Sequence, residues 1–552
     1  GAGNVTLTAR NGNILGDGAT LITGNIVKLL APVANGNYFI GQSGNELRTA
    51  AGEIQAQGGS IYLYQAQGAA LLQNIRAVDN AFVSGVSDLT VNQVSTSSSN
   101  GYIRLNAGGG SLLRANANSV LSSGSISLQA MRDLGTATEH LTTNTATLTL
   151  NSGRHIYVDN PGQTLNSLII SNTHAAGSAG PNVLEVAAPY LDFKVTDDVG
   201  VAYSLTKVYS SLLNNFTFSG DQDLKLGNIR TASTVSLTST VGNILDDGDV
   251  NTRVTAPSVF LNAGRSIGAS GNLVSLNTSN LSAATYGDLY VTSLADLNSL
   301  SVYANHRNST DVNQLRVYAP SLLFDVVDSL DGHAINQVRD ANWISFTFNS
   351  DRNLTVGSID AGSAGSISLY SSGSIRDDGL KSTQLLANSV TLIANKSIGA
   401  SGNGHLDILT GNLSATANGG GIFIQLPSPT GSLNYNGAIA LNYIYASDAV
   451  AIDARQGDLV LRNNVTSSSG DIALTAANGS IYNGSNGNLY AGGGNITLTA
   501  AGSIGGSYLD ASPRAINIVG ASNVAVSASA GTDLYLSGSG NYNIYLKSLT
   551  AA

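Results

Sequence analysis

The sequence predicts an all-β protein, a right-handed parallel β-helix, and three observations carry that expectation. Strand-sized phrases return about every 23 residues, each alternates apolar with small polar residues, and glycine-containing turn steps separate them. Such a chain reads as stacked similar coils, in which a long surface is a more natural product than a single pocket.

The period is visible from one end of the chain to the other. Val235 and Val259 are 24 positions apart, and Ile244 and Ile267 are 23 apart. Ile367 precedes Val390 by 23, and Ile375 precedes Ile398 by 23. Ile472 to Ile496 is 24 and Ile481 to Ile504 is 23. The alternation in pieces such as Ile367-Ser368-Leu369 is that of a strand with one buried face. Gly-Asn, Gly-Ser and Asp-Gly steps supply the turns. At 552 residues, this rhythm predicts roughly 24 coils and, at about 4.8 Å per coil, a rod on the order of 115 Å long.

A second repeat is longer, about 131 residues. Val259-Phe260-Leu261-Asn262-Ala263-Gly264-Arg265-Ser266-Ile267-Gly268 returns as Val390-Thr391-Leu392-Ile393-Ala394-Asn395-Lys396-Ser397-Ile398-Gly399. Phe216-Thr217-Phe218 returns as Phe346-Thr347-Phe348, and Ala188-Pro189 with Leu191 and Phe193 returns as Ala319-Pro320 with Leu322 and Phe324. In chain order this predicts one continuous rod of four parts. Residues 1–155 are divergent, with 1–41 the tail of a preceding module. Residues 156–288 and 289–421 are full modules, and 422–552 is a shortened one. The stretches 283–345 and 425–450 keep the period less cleanly and read as coils with wider loops.

Composition narrows the function classes. With 42% apolar residues, 63 glycines and only 11% charged residues, the chain is too apolar for a disordered linker. No apolar run reaches the roughly 20 residues of a membrane span. The start, Gly1-Ala2-Gly3-Asn4, points to a processed product or a piece of a longer chain. Zero cysteines exclude disulfides and thiolate metal sites. A net charge of −10 without a Lys/Arg cluster argues against nucleic acid as a partner.

Candidate sites are few. Asp246-Asp247-Gly248 and Asp377-Asp378-Gly379 are equivalent acidic turns, and Asp246, Asp247, Asp377 and Asp378 are weak calcium candidates. Turn geometry explains them as well, since Asp-Gly is a favoured turn step. His140, His155, His174, His306, His333 and His405 show no i, i+2 or i, i+4 pairing and read as surface or loop residues. Asp192, Lys194, Asp197 and Asp198 form one charged cluster and Asp325, Asp328 and Asp331 another, at module-equivalent positions that suggest shared loop structure. Gly492-Gly493-Gly494-Asn495 is a corner signal, lacking the Lys-Ser/Thr of a phosphate loop. No catalytic residue, cofactor or enzymatic activity is expected. Exposed aromatic rings stack on sugars, so Trp343, Tyr286, Tyr290, Tyr435 and Tyr443 form the candidate binding surface, although such rings also cap ladders.

The phrases Ser-Ile-Ser-Leu, Gly-Ser-Ile and Asn495-Ile496-Thr497-Leu498-Thr499-Ala500-Ala501-Gly502-Ser503-Ile504 resemble the repeat region of filamentous haemagglutinin-like exoproteins. The resemblance covers nearly the whole chain. It implies a β-helical adhesin, biofilm or contact-dependent toxin component, exported to the outer surface of a Gram-negative bacterium by an outer-membrane partner. The family's Asn-Pro-Asn-Gly and Asn-Pro-Asn-Leu secretion motifs do not occur, which implies an inner segment or another export route. On this reading the function is an extracellular fibre or stalk that continues into further repeats or stacks on copies of itself end to end. The alternatives are a carbohydrate-binding adhesin and a polysaccharide-degrading β-helix acting through Asp197 or Asp198.

Overall fold

The computed structural model describes residues 3–31, 38–175, 180–340, 344–427, 438–484, 487–506, 514–520, 523–539 and 542–552. The chain divides into two compact units, Gly1–Thr278 and Ser279–Ala552. Each is a parallel β-solenoid, and the chain makes about 23 turns spaced about 22 residues apart. Among the described residues there is no α-helix, only a short 3-10 turn at Gly402–Gly404.

A coil typically holds three short strands. Leu89–Val91, Gln93–Thr96 and Tyr102–Ala107 form one, and Leu112–Arg114, Val120–Ser122 and Ser125–Ala130 stack in register on it. Because side chains alternate across a strand, in-register stacking places like residues above one another. In the first unit Ile103, Ile126, Leu148, Leu168, Phe216, Val235 and Val259 form one continuous ladder. All seven are essentially buried. In the second unit Leu281, Leu300, Phe346, Ile367, Val390 and Leu413 do the same.

A second set of isoleucines stacks through single-residue parallel bridges, Ile244 to Ile267 in the first unit and Ile375 to Ile398 to Ile422 in the second. Corners are tight. A Cβ on Gly153 would stand 2.1 Å from the Met131 carbonyl oxygen of the coil below. Asparagine side chains tie one coil to the next: Asn243 Oδ1 accepts from Ser266 N at 3.0 Å, and Asn13 Oδ1 accepts from Phe39 N at 2.7 Å.

Among the described residues each unit carries one large insertion, and in the second unit it corrects the expectation of wider loops over 283–345; most of the loop expected within 425–450 lies outside the described residues. Strands Ser167–Asn172 and Asn215–Gly220 are direct parallel neighbours, yet Leu168 and its partner Phe216 are 48 positions apart. The extra chain makes strands on the adjoining face. Val183–Ala187 runs parallel to Ile156–Asp159, and Ala202–Tyr209 runs parallel to Asp223–Arg230. Asp192–Asp198 lies antiparallel between them. Three strands thus stand where one would, adding about 10 Å of height on one face only, so the three-stranded piece must project. Its middle strand buries Val195 and the side chain of Asp197, and leaves Asp192, Lys194, Thr196 and Asp198 exposed. In the second unit Leu315–Tyr318, the antiparallel Leu323–Asp328 and Gly332–Arg339 repeat the insertion, while Ser299–Ala304 pairs directly with Ser345–Ser350. The aspartate clusters read as shared loops therefore lie on shared strands, except Asp331, which sits in the turn between two of them.

Candidate functional site

At the root of each projecting sheet lies a polar cluster. In the first unit the coil turns at His174, just after Ser167–Asn172, and the next coil turns at Asp221, just after Asn215–Gly220. The parallel pairing of these strands stacks the two turns. Asp197 at the end of the inserted strand faces Tyr203 across an antiparallel pair, and both point inward.

The His174 ring is clamped between two carboxylates. Its Nδ1 lies 2.9 Å from Asp221 Oδ1 and its Nε2 lies 2.8 Å from Asp197 Oδ2. The His174 amide also donates to Asp221 Oδ2 at 2.7 Å. Burial disfavours charge on this imidazole, but the hydrogen bonds to Asp197 and Asp221 and their charges outweigh it, so its pKa lies above the ordinary value. Asp197 is fully used. Its Oδ2 also accepts from Asn182 N at 2.6 Å, and its Oδ1 accepts from Gln222 Nε2. Tyr203 is completely buried, packs edge-on against Phe218, and donates to Asn172 Oδ1 at 2.9 Å. Burial, then the charges of Asp221 and Asp197, hold its phenol well above the usual value. Both ring nitrogens of His174 and the Tyr203 hydroxyl are engaged by neighbouring side chains, so the cluster pins the projecting sheet to the coil.

The second unit repeats the arrangement about 131 residues on. His306 Nδ1 lies 2.7 Å from Asp351 Oδ1, and Nε2 lies 2.8 Å from Asp328 Oδ2. Asn313 N donates to Asp328 Oδ2 at 2.5 Å. The difference is at the centre, where His333 replaces Tyr203, and its ring packs 5.5 Å from Phe348 and 5.0 Å from His306. Burial pulls the His333 imidazole down to about 4. His306, Asp328 and His333 form the one group of three or more metal-capable side chains that converge among the described residues.

The reading of the histidines as surface or loop groups fails at His333, which lies on a strand and is 1% exposed; His174 and His306 do sit in loops, with largely buried rings. The other candidates fall elsewhere. Trp343 and Tyr435 lie outside the described residues. Tyr286 and Tyr443 are about half exposed, 46% and 51%. Tyr290 is 4% exposed and donates to Gln314 Oε1, so its ring is not open to a ligand. The acidic turns hold themselves together. Asp246 accepts from Gly248 N and Ser275 N, and Asp377 accepts from Gly379 N. Asp247 and Asp378 accept from Thr252 and Thr383 hydroxyls, each at 2.6 Å. Asp197 is buried with both oxygens engaged, which removes it as an accessible catalytic carboxylate.

No family model, curated protein or solved structure matches the chain. Its class rests on the fold: a tandem-module parallel β-solenoid with one antiparallel insertion in each unit, anchored by a His–Asp cluster.

Proposed function

We propose that the chain is structural, a stiff segment of an extracellular fibre or stalk of a bacterial adhesin-like exoprotein. The observation that supports this most is the unbroken in-register apolar ladder inside each unit. Every coil is tied to the next by parallel backbone hydrogen bonds and by stacked buried Ile, Leu, Val and Phe. Bending such a stack must open both. Export to the outer surface of a Gram-negative cell through an outer-membrane partner is part of this reading. Negative-stain electron microscopy of the purified chain tests it: rods or filaments are expected, and round particles would overturn it.

A second reading is a glycan-binding adhesin, favoured by the half-exposed rings of Tyr286, Tyr318 and Tyr443. Glycan-array binding that Tyr318→Ala or Tyr443→Ala removes would establish it.

A further inference from the structure

The two clusters differ at four coupled positions, and the differences leave a cation-sized need in one of them. In the first unit Tyr203 fills the centre, and Asn172 receives its hydroxyl. Gly220 makes room for the ring, since a Cβ there would stand 2.7 Å from Tyr203 Cδ2. Gln222 covers Asp197 Oδ1. In the second unit the corresponding residues are His333, Ala304, Ser350 and Arg352. Ala304 has no polar group to offer. Arg352 turns away, donating to the carbonyls of Asn308, Ser309, Asp311 and Ser329. Asp328 Oδ1 is consequently left with no hydrogen-bond partner, and so is His333 Nε2, both fully buried.

These two atoms face each other at 3.8 Å. The Ser350 hydroxyl lies 2.8 Å from His333 Nδ1 and 3.1 and 3.3 Å from the Arg352 and Asn353 carbonyls, which holds the ring with Nε2 turned toward Asp328. A buried imidazole nitrogen and a buried carboxylate oxygen, each without a hydrogen-bond partner, thus face each other in a dry interior, an arrangement that costs free energy unless something between them satisfies both.

We propose that His306 Nε2, Asp328 and His333 Nε2 bind one divalent transition-metal ion, of the zinc class, at the root of the second projecting sheet. The donor atoms lie within 4.8 Å of one another. Two imidazoles and one carboxylate are the donor set of zinc and its neighbours, whereas calcium and magnesium prefer all-oxygen sites. The outer shell is in place: Asp351 holds His306 Nδ1 at 2.7 Å, and Ser350 holds His333 Nδ1. Bonds of about 2.0–2.2 Å in a tetrahedron put neighbouring ligand atoms roughly 3.4 Å apart. Asp328 Oδ2 stands 2.8 Å from His306 Nε2 and Oδ1 stands 3.8 Å from His333 Nε2, so a turn of the carboxylate is needed to bring one oxygen to that spacing from both rings, and a water completes the four positions. Protons on the two Nε2 atoms leave to solvent as the metal enters. The divalent charge is then balanced by Asp328 and Asp351. A cleft of about 340 Å³ along Asn313–Tyr318 and Phe324–Asp328 borders the cluster on the Asp328 side. The first unit is the internal contrast, because its equivalent carboxylate is fully hydrogen-bonded and its central side chain is a phenol.

The test uses tag-free full-length chain stripped with a chelator. Zn(II) is titrated by calorimetry and Co(II) by visible absorption. One site per chain with tetrahedral Co(II) bands is expected, together with a melting temperature raised by Zn(II). His333→Tyr, which installs the first unit's own residue, and Asp328→Asn should abolish the site. His405→Ala should keep it. Absence of stoichiometric binding, or binding unchanged in His333→Tyr, would overturn the proposal. So would a crystal soaked in Zn(II) that shows only water between His333 and Asp328. If His333→Tyr does not fold, the wild-type titration and melting shift decide alone.

Discussion

Replacing Asp197 with alanine tests whether the polar cluster anchors the projecting sheet of the first unit. The Asp197 side chain is fully buried and accepts from His174 Nε2, Asn182 N and Gln222 Nε2. Its removal strands three donors and leaves an imidazolium with one carboxylate instead of two. Breaking a buried ion pair from one side costs about 3–5 kcal/mol. At roughly 1.4 kcal/mol per factor of ten, local opening becomes about 10²- to 10⁴-fold more frequent. Hydrogen exchange read by mass spectrometry reports this opening directly. Amides of Val183–Ala187 and Ala202–Tyr209 should lose protection by that factor, while Ser125–Ala130, several coils away, should not change. Asp197→Asn keeps two acceptor lone pairs and should lose less. The pH dependence supplies a second readout. The native pKa of His174 lies above its unfolded value of about 6.5. Its stabilisation is therefore complete below that value and is lost as pH rises through the native one. Wild-type protection in this sheet, corrected for intrinsic exchange, should be greater at pH 5.5 than at pH 8.5, and Asp197→Ala should flatten the difference. Wild-type-like protection in Asp197→Ala would refute the anchoring role.

Three further outcomes follow from the packing. Phe348→Ala empties a fully buried ladder position between Val302 and Leu369 and should cost about 3–5 kcal/mol, read as faster exchange in the coils immediately above and below. Gly153→Ala drives a Cβ to 2.1 Å from the Met131 carbonyl oxygen and should lower the melting temperature, whereas Gly12→Ala, with open space around it, should leave it unchanged. Asp407 is pushed up to about 6 by burial and by the charge of Asp377. Its native pKa is above the unfolded value, so the penalty is absent below about pH 4 and complete above pH 6. Asp407→Asn should therefore raise the melting temperature at pH 8 and have no effect at pH 4.

The solenoid was legible because its period is written in buried residues. Ile244 and Ile267 are one coil apart in sequence and bridge in space. The inserted strands were not legible. Asp192–Asp198 has solvent on most sides, so its sequence carries charge where a buried strand carries Val and Ile, and a charged stretch with a lost period looks like a loop. The clusters were missed for a different reason. Histidines were tested at spacings suited to one helix or strand, but neighbours in a solenoid are one coil away. His174, Asp197 and Asp221 are 23 and 24 positions apart, and His306, Asp328 and Asp351 are 22 and 23 apart. Both sets also recur across the long repeat. Testing titratable residues at the coil period would have found them. Nothing in the sequence shows that Gln222 covers a carboxylate oxygen while Arg352 does not, because that depends on side-chain direction.

The insertion occurs twice with the same skeleton and different centres, a phenol in one and an imidazole in the other. Since a turn answers only to its immediate neighbours, one copy can differ in its chemistry while the other keeps its own arrangement. In such an architecture, new ligand specificity can evolve by editing a few side chains in a spare module, with the rest of the molecule left as it was.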